Sequence, residues 1–314
     1  SVDLSSENGS GGNIYANAEN GFLLIGSEFE NTNVYDVSSE SGDAGSVELF
    51  AAQYLDLWHK IDASSMYGIG GSVNIESLSN NLNIYQNIID ASSAFGAGGE
   101  ILLKAFDHLI VNANSTILAH DITLDAGHYL IMHGNLTAGA NSSDGNIFML
   151  AGQSVGSGYN VIESDNLIVK SGGNIQLDGE INAGNMISAE ADDALYSYGI
   201  LKASNGNIRL SGKEYLYLVN NLESNSQILE LISDNYLVHL DGVPLRAQKI
   251  ILDAPYVYNL RLTVEESPMF VFGGLGKNTS LYSPANTPLL IIDGNKYTAI
   301  TIKYINPITA WAGL

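Results

Sequence analysis

Cysteine is absent from all 314 residues, which excludes disulfide stapling, thiolate metal sites and a cysteine nucleophile. Proline is absent from the first 243 residues. All six lie later, at Pro244, Pro255, Pro268, Pro284, Pro288 and Pro307. A stretch without proline can carry an unbroken ladder of backbone hydrogen bonds. Bases are scarce, 12 against 34 acids, for a net charge of −22. Residues 1–243 hold 30 acids and 6 bases (−24), and residues 244–314 hold 4 acids and 6 bases (+2). So acidic a body repels phosphates, which argues against nucleic acid and anionic membranes as partners. No apolar run reaches the roughly 18 residues of a membrane-spanning helix. The chain opens at Ser1 without a signal-peptide pattern, as expected of a mature product or of a fragment of something longer.

What is present is repetition. Ile61-Asp62-Ala63-Ser64-Ser65 is followed by Gly68, Gly70, Gly71, Val73 and Ile75. The same order returns at Ile89-Asp90-Ala91-Ser92-Ser93, Gly96, Gly98, Gly99, Ile101 and Leu103. Such a period marks stacked units, and apolar residues two apart mark strands. A phrase of Gly, any, Ile or Val, any, apolar begins at Gly12, Gly45, Gly71, Gly99, Gly145, Gly173 and Gly206. Glycine-free copies begin at His120, Ser226 and Gln248. Between these lie second runs (Gly21 to Ile25, Tyr54 to Trp58, His108 to Val111, Asn166 to Val169, Tyr215 to Leu218). Shorter third runs lie at Ile61, Ile89, Leu136, Ile181 and Leu201. Three strands per turn of chain predict an all-β, three-sided, single-stranded parallel β-helix of about ten coils over residues 1–252, with coils about 4.8 Å apart. The lead glycines are expected to supply backbone angles that a Cβ resists. A loop is expected around Ser27 to Ser41, and strand–turn–strand over Leu49 to Ile61.

Residues 253–314 read as a non-repeating, proline-containing β cap or docking segment. Asp293-Gly294-Asn295, between Leu289 to Ile292 and Tyr297 to Ile305, signals a hairpin. Tyr297, Ile300, Ile302 and Tyr304 are the candidate docking strand for a second copy of the chain, joined head to tail.

Chemistry is sparse. Asp192-Asp193 is the one adjacent acidic pair besides Glu265-Glu266. Neighbours on a strand face opposite ways, so a solvated pair is expected rather than a glycosidase couple. Asp62, Asp90 and Asp144 read as turn formers. No cofactor is expected, with Ca²⁺ the one cation that acidic turns leave open. His120, His128 and His133 lack zinc-site spacing, and no Gly-x-Ser-x-Gly elbow is present. Tyrosine stands out: Tyr196, Tyr198, Tyr215, Tyr217 and Tyr236, with Tyr256 and Tyr258 beyond. If Leu216 and Leu218 point inward, Tyr215 and Tyr217 point out, giving an aromatic strip for glycans or a receptor. The alternative is a strip covered by the terminal segment.

Ile61-Asp62-Ala63-Ser64-Ser65 and Ala203-Ser204-Asn205-Gly206-Asn207-Ile208 resemble repeats of the filamentous-haemagglutinin-type exoproteins exported by two-partner secretion. The resemblance spans about residues 10–252, and that family's amino-terminal secretion domain is not recognisable here. It implies a right-handed β-helical adhesin segment, secreted and held at the cell surface. The function expected is therefore structural and non-enzymatic, an adhesin or extracellular fibre component, with a carbohydrate-active β-helix enzyme as the alternative.

Overall fold

A computed structural model describes residues 1–26, 33–85, 87–139, 144–219, 222–224, 227–240, 245–247, 249–258, 269–272, 279–282, 290–292, 295–297 and 299–302. These residues contain no helix, and all but the last few strands pair in parallel. The fold is a parallel β-solenoid. Two compact units divide the chain, residues 1–169 and 170–314.

In the first unit each turn of chain lays down three strands. Ser72–Ser77, Leu82–Ile84 and Ile88–Asp90 form one such set. Each strand pairs only with its equivalents in the preceding and following sets: Ile101 lies beside Val73, Leu103 beside Ile75, and Ile89 beside Ile61. The core is therefore a stack of columns. One runs Val47, Val73, Ile101, Ile122, Ile147, and another Leu49, Ile75, Leu103, Leu124, Met149. Every one of these side chains is buried. The expected strand–turn–strand over 49–61 is present as Ser46–Ala51, Leu55–Leu57 and Lys60–Asp62.

The expected loop over 27–41 is partly strand. Val34–Asp36 pairs with Lys60–Asp62, and Tyr35 takes the column position that Ile61 and Ile89 hold in later turns. An aromatic ring thus fills an aliphatic slot, its centroid 5.7 Å from that of His59. Residues 27–32 lie outside the described residues.

The lead glycines serve a purpose other than the one expected. Positive φ occurs at Gly26, Gly139 and Gly179, not at Gly45, Gly71 or Gly99. Those three stack directly: a Cβ on Gly99 would overlap the Gly71 carbonyl oxygen, and one on Gly71 that of Gly45. Close approach of successive backbones, not backbone angle, excludes a side chain.

The ten residues ending at Gly12, Gly45, Gly71 and Gly99 form a turn that occurs four times, not twice: Asp3 to Gly12, Asp36 to Gly45, Asp62 to Gly71 and Asp90 to Gly99. Each Asp accepts the amide N–H of the serine two residues on, at 2.9–3.2 Å. The next serine accepts the N–H of a glycine three residues later, at 2.8–2.9 Å in all four copies. From the second copy on, its hydroxyl also donates to the glycine carbonyl of the turn before: Ser39 to Gly9, Ser65 to Gly42, Ser93 to Gly68. One hydroxyl thereby satisfies a donor within its own turn and an acceptor in the neighbouring one.

In two turns, Val161–Ser171 and Glu180–Ala191, the third strand of one turn runs into the first of the next. Glu180–Ala191 is one twelve-residue strand whose halves pair with Ile200–Ala203 and Asn207–Gly212. The Gly173 phrase is correspondingly not a first strand. Asn174–Leu177 pairs with Ala194–Ser197, in the position of a second strand. The first-strand halves of these two are led by Asp165 and Asn185 instead of glycine, whereas Asn207–Gly212 follows Gly206; Asn166–Val169 belongs with the first strands rather than with the second runs. Parallel pairing also continues past residue 252: Lys249–Asp253 pairs with Met269–Phe272, and Tyr256–Tyr258 with Thr279–Tyr282.

Candidate binding face

The second strands of the second unit, Asn174–Leu177, Ala194–Ser197, Tyr215–Leu218, Leu237–Leu240 and Tyr256–Tyr258, lie in register. Ile175, Leu195, Leu216, Val238 and Val257 point inward and are buried. Strand alternation sends the intervening residues outward. One outward row is Gln176, Tyr196, Tyr217 and His239. Tyr215 lies one row over, beside Ala194 and Leu237.

Four of the five tyrosines expected to form a strip are brought into a single cluster. Tyr196 lies 6.0 Å from Tyr215 and 6.4 Å from Tyr217 between ring centroids, and Tyr198 lies 5.9 Å from Tyr217. Tyr215 and Tyr217 are near-parallel at 6.1 Å. Such offset and edge-on arrangements stabilise aromatic pairs by about 0.5–1.5 kcal/mol beyond their area. Tyr236 sits at the next corner, edge-on to Tyr256 at 5.8 Å. Tyr198, Tyr236 and Tyr256 are 40%, 56% and 40% exposed, while Tyr196, Tyr215 and Tyr217 are half-buried among their neighbours.

The centre of the cluster includes a residue that the tyrosine pattern did not flag. His239 packs edge-on to Tyr217 at 4.7 Å, and its Nδ1 lies 3.2 Å from the Tyr215 hydroxyl. Its signal was positional: it takes the same outward place in its strand as Tyr217. Burial, followed by the surrounding tyrosines, pushes the Tyr215 hydroxyl up to about 12. Tyr198 is raised as well, first by burial, then by Tyr217, Tyr196 and Asp178. These hydroxyls stay protonated and able to donate across the physiological range.

The other candidates are dispersed. Asp192 and Asp193 lie in the exposed turn before Ala194, held by their own amides. His120, His128 and His133 occupy three different corners of one turn. His128 pairs with Asp107 at 2.7 Å, and His120 faces Asp144 at 3.9 Å. Among the described residues no group of three or more His, Asp or Glu is placed to hold a metal ion. The turn aspartates Asp62 and Asp90 hold serine amides, as turn formers do.

The candidate docking strand is divided between two pairings. Asn295–Tyr297 forms a hairpin with Leu290–Ile292, Tyr297 opposite Leu290, so the return arm precedes the expected Tyr297 to Ile305 run. Ala299–Ile302 pairs antiparallel with Thr279–Tyr282, Ile300 opposite Leu281 and Ile302 opposite Thr279. One edge of that strand is thus already used within the chain. Tyr304 and the hairpin positions 293–294 lie outside the described residues. Compared with known proteins, the chain matches no family model, no curated protein and no solved structure.

Proposed function

We infer that the protein is a non-enzymatic structural β-solenoid of the cell exterior, an adhesin or extracellular fibre component, that engages a surface glycan or receptor through its tyrosine face. The observation that carries this reading is the cluster of Tyr196, Tyr198, Tyr215 and Tyr217 around His239 on outward positions of a rigid parallel sheet. Large rings with polar tips, ordered before any partner arrives, are the groups that binding surfaces use at low entropic cost. The acidic composition keeps a stacked protein soluble and turns away polyanions. Secretion and cell-surface placement rest on the exoprotein-like repeats alone. Head-to-tail assembly through Ala299–Ile302, whose second edge has no partner strand among the described residues, accompanies this reading. Binding of the labelled protein to intact cells and to immobilised glycans tests it. The Tyr215→Ala/Tyr217→Ala double variant is expected to lose binding while keeping its β circular-dichroism spectrum. Undiminished binding by that variant would reject the face.

A further inference from the structure

A second outward surface, in the first unit, carries a different chemistry. Leu23–Ile25, Leu55–Leu57 and Leu82–Ile84 are consecutive second strands in register. Their inward residues, Ile25, Leu55, Leu57, Leu82 and Ile84, are buried. On the outer side Asp56 and Asn83 are register partners, and Asn83 Nδ2 donates to Asp56 Oδ1 at 2.6 Å. Stacked aromatic pairs stand at both ends of this polar floor. Phe22 lies on Tyr54 at 4.9 Å and 3°, and Trp58 on Tyr85 at 4.1 Å and 8°. Leu24 and Ile110 bound the floor along the stacking direction. Tyr54 and Trp58 are four residues apart, so their Cα atoms are separated by about 13 Å. Asp56, Asn83, Trp58 and Tyr85 are half-buried.

We propose that this floor is a binding site for an uncharged pyranose glycan, with Asp56 and Asn83 hydrogen-bonding adjacent ring hydroxyls and Trp58 and Tyr85 packing against the apolar edge of the sugar. Among the described residues the one shared hydrogen bond leaves Asp56 Oδ2 and the amide oxygen of Asn83 as acceptors, and the second amide hydrogen of Asn83 as a donor. A vicinal diol supplies that complement. Aromatic side chains around a few fixed polar groups are the usual make-up of a small-ligand site. Charge selects the occupant: residues 1–169 hold 20 acids and 2 bases, Lys60 and Lys104, and neither base is an outward residue of these strands. A uronate or sulfated sugar would meet Asp56 with no cation to offset it. Tyr85 is pushed up by burial and then by the Asp56 charge, in keeping with a carboxylate facing that ring. The site is separate in sequence and in unit from the tyrosine face, so either can fail alone.

The test is calorimetry of the full chain with cellohexaose, mannohexaose and maltohexaose, and with hexagalacturonate as the anionic control. Trp58 is one of only two tryptophans, so its emission reads the same event. The expected result is binding of at least one neutral hexasaccharide, weakened at least about tenfold by Trp58→Ala and by Asp56→Ala. Ser41→Ala, in an exposed turn outside these strands, should leave it unchanged, and Tyr215→Ala/Tyr217→Ala is titrated beside it. Asp56→Asn preserves shape and the Asn83 contact; should either alanine variant misfold, it is expected to weaken binding in a folded chain. Any of four results overturns the site: no neutral sugar binds, hexagalacturonate binds as tightly, the folded variants bind like the wild type, or only the tyrosine variant loses binding. The last would place the glycan on the tyrosine face instead.

Discussion

Ser65→Ala tests the hydrogen-bonded turn most sharply. Ser65 is 4% exposed, and its hydroxyl accepts from Gly68 N at 2.8 Å and donates to the Gly42 carbonyl at 2.8 Å. Alanine fills nearly the same space, so the cost is not a cavity. It is two backbone groups, one in each of two neighbouring turns, left without their partner. A buried unsatisfied group costs about 1–3 kcal/mol, and incomplete burial of the glycines favours the low end. A loss of about 2–4 kcal/mol follows. Because stacked repeats can unfold in segments, a single melting midpoint is a poor readout. Native-state hydrogen exchange at the Gly68 amide and its neighbours is the better assay. Ser41→Ala, at an exposed site in the preceding turn, is the control and should stay within about 0.5 kcal/mol. If Ser65→Ala changed protection no more than Ser41→Ala does, the serine ladder would not be holding the turns together.

Three further outcomes follow from the same geometry. Leu103→Ala empties a fully buried place between Ile75 and Leu124 and should cost about 2–5 kcal/mol by denaturant titration. Asp62 is pushed up by burial, but Lys60 at 2.6 Å and Ser64 more than offset this and hold it below the ordinary carboxylate value. Its stabilisation is thus present above the unfolded pKa of about 3.8 and lost as pH falls through the lower folded value. The stability gap between wild type and Asp62→Asn should accordingly be wide at neutral pH and close in acid. Tyr215 has the opposite sign. Its folded pKa is raised to about 12, so its contribution is full below the unfolded value of 10.0 and lost as pH rises towards 12. Ultraviolet titration of Tyr215→Phe should lack a phenol that titrates near 12.

The stacking of Val73 with Ile101 was legible because a paired glycine, a period of two and the same 28-residue spacing from Ile61 to Ile89 and from Gly71 to Gly99 all pointed to one register. Where one of these cues was missing, the sequence misled. Gly173 leads a second strand, because a glycine of close approach and a glycine of a corner look alike in a sequence. Asp165 leads a first strand without glycine: its carboxylate accepts the Gly145 amide at 3.1 Å, a side chain doing what close backbone contact does elsewhere. The turns at Asp3 and Asp36 were missed because only the hydrogen-bonding residues recur, while the positions between them change from Leu4 to Val37 to Ala63. The tyrosine cluster was visible from alternation about Leu216 and Leu218. His239, and the aromatic walls around Asp56, become visible only once register sets residues 20 to 30 apart side by side.

Register itself is the claim to test most directly, and a chain without native cysteine makes the measurement clean. Asn74 and Leu102 are outward-facing register partners on adjacent parallel strands. Neighbouring strands lie about 4.8 Å apart, within the Cα separation that a disulfide spans. The double variant Asn74→Cys/Leu102→Cys should close a disulfide under mild oxidation. Asn74→Cys/Leu103→Cys, with its second thiol buried on the opposite face, should remain reduced. A bond in the second pair and none in the first would contradict the stacked-column fold and every surface built on it.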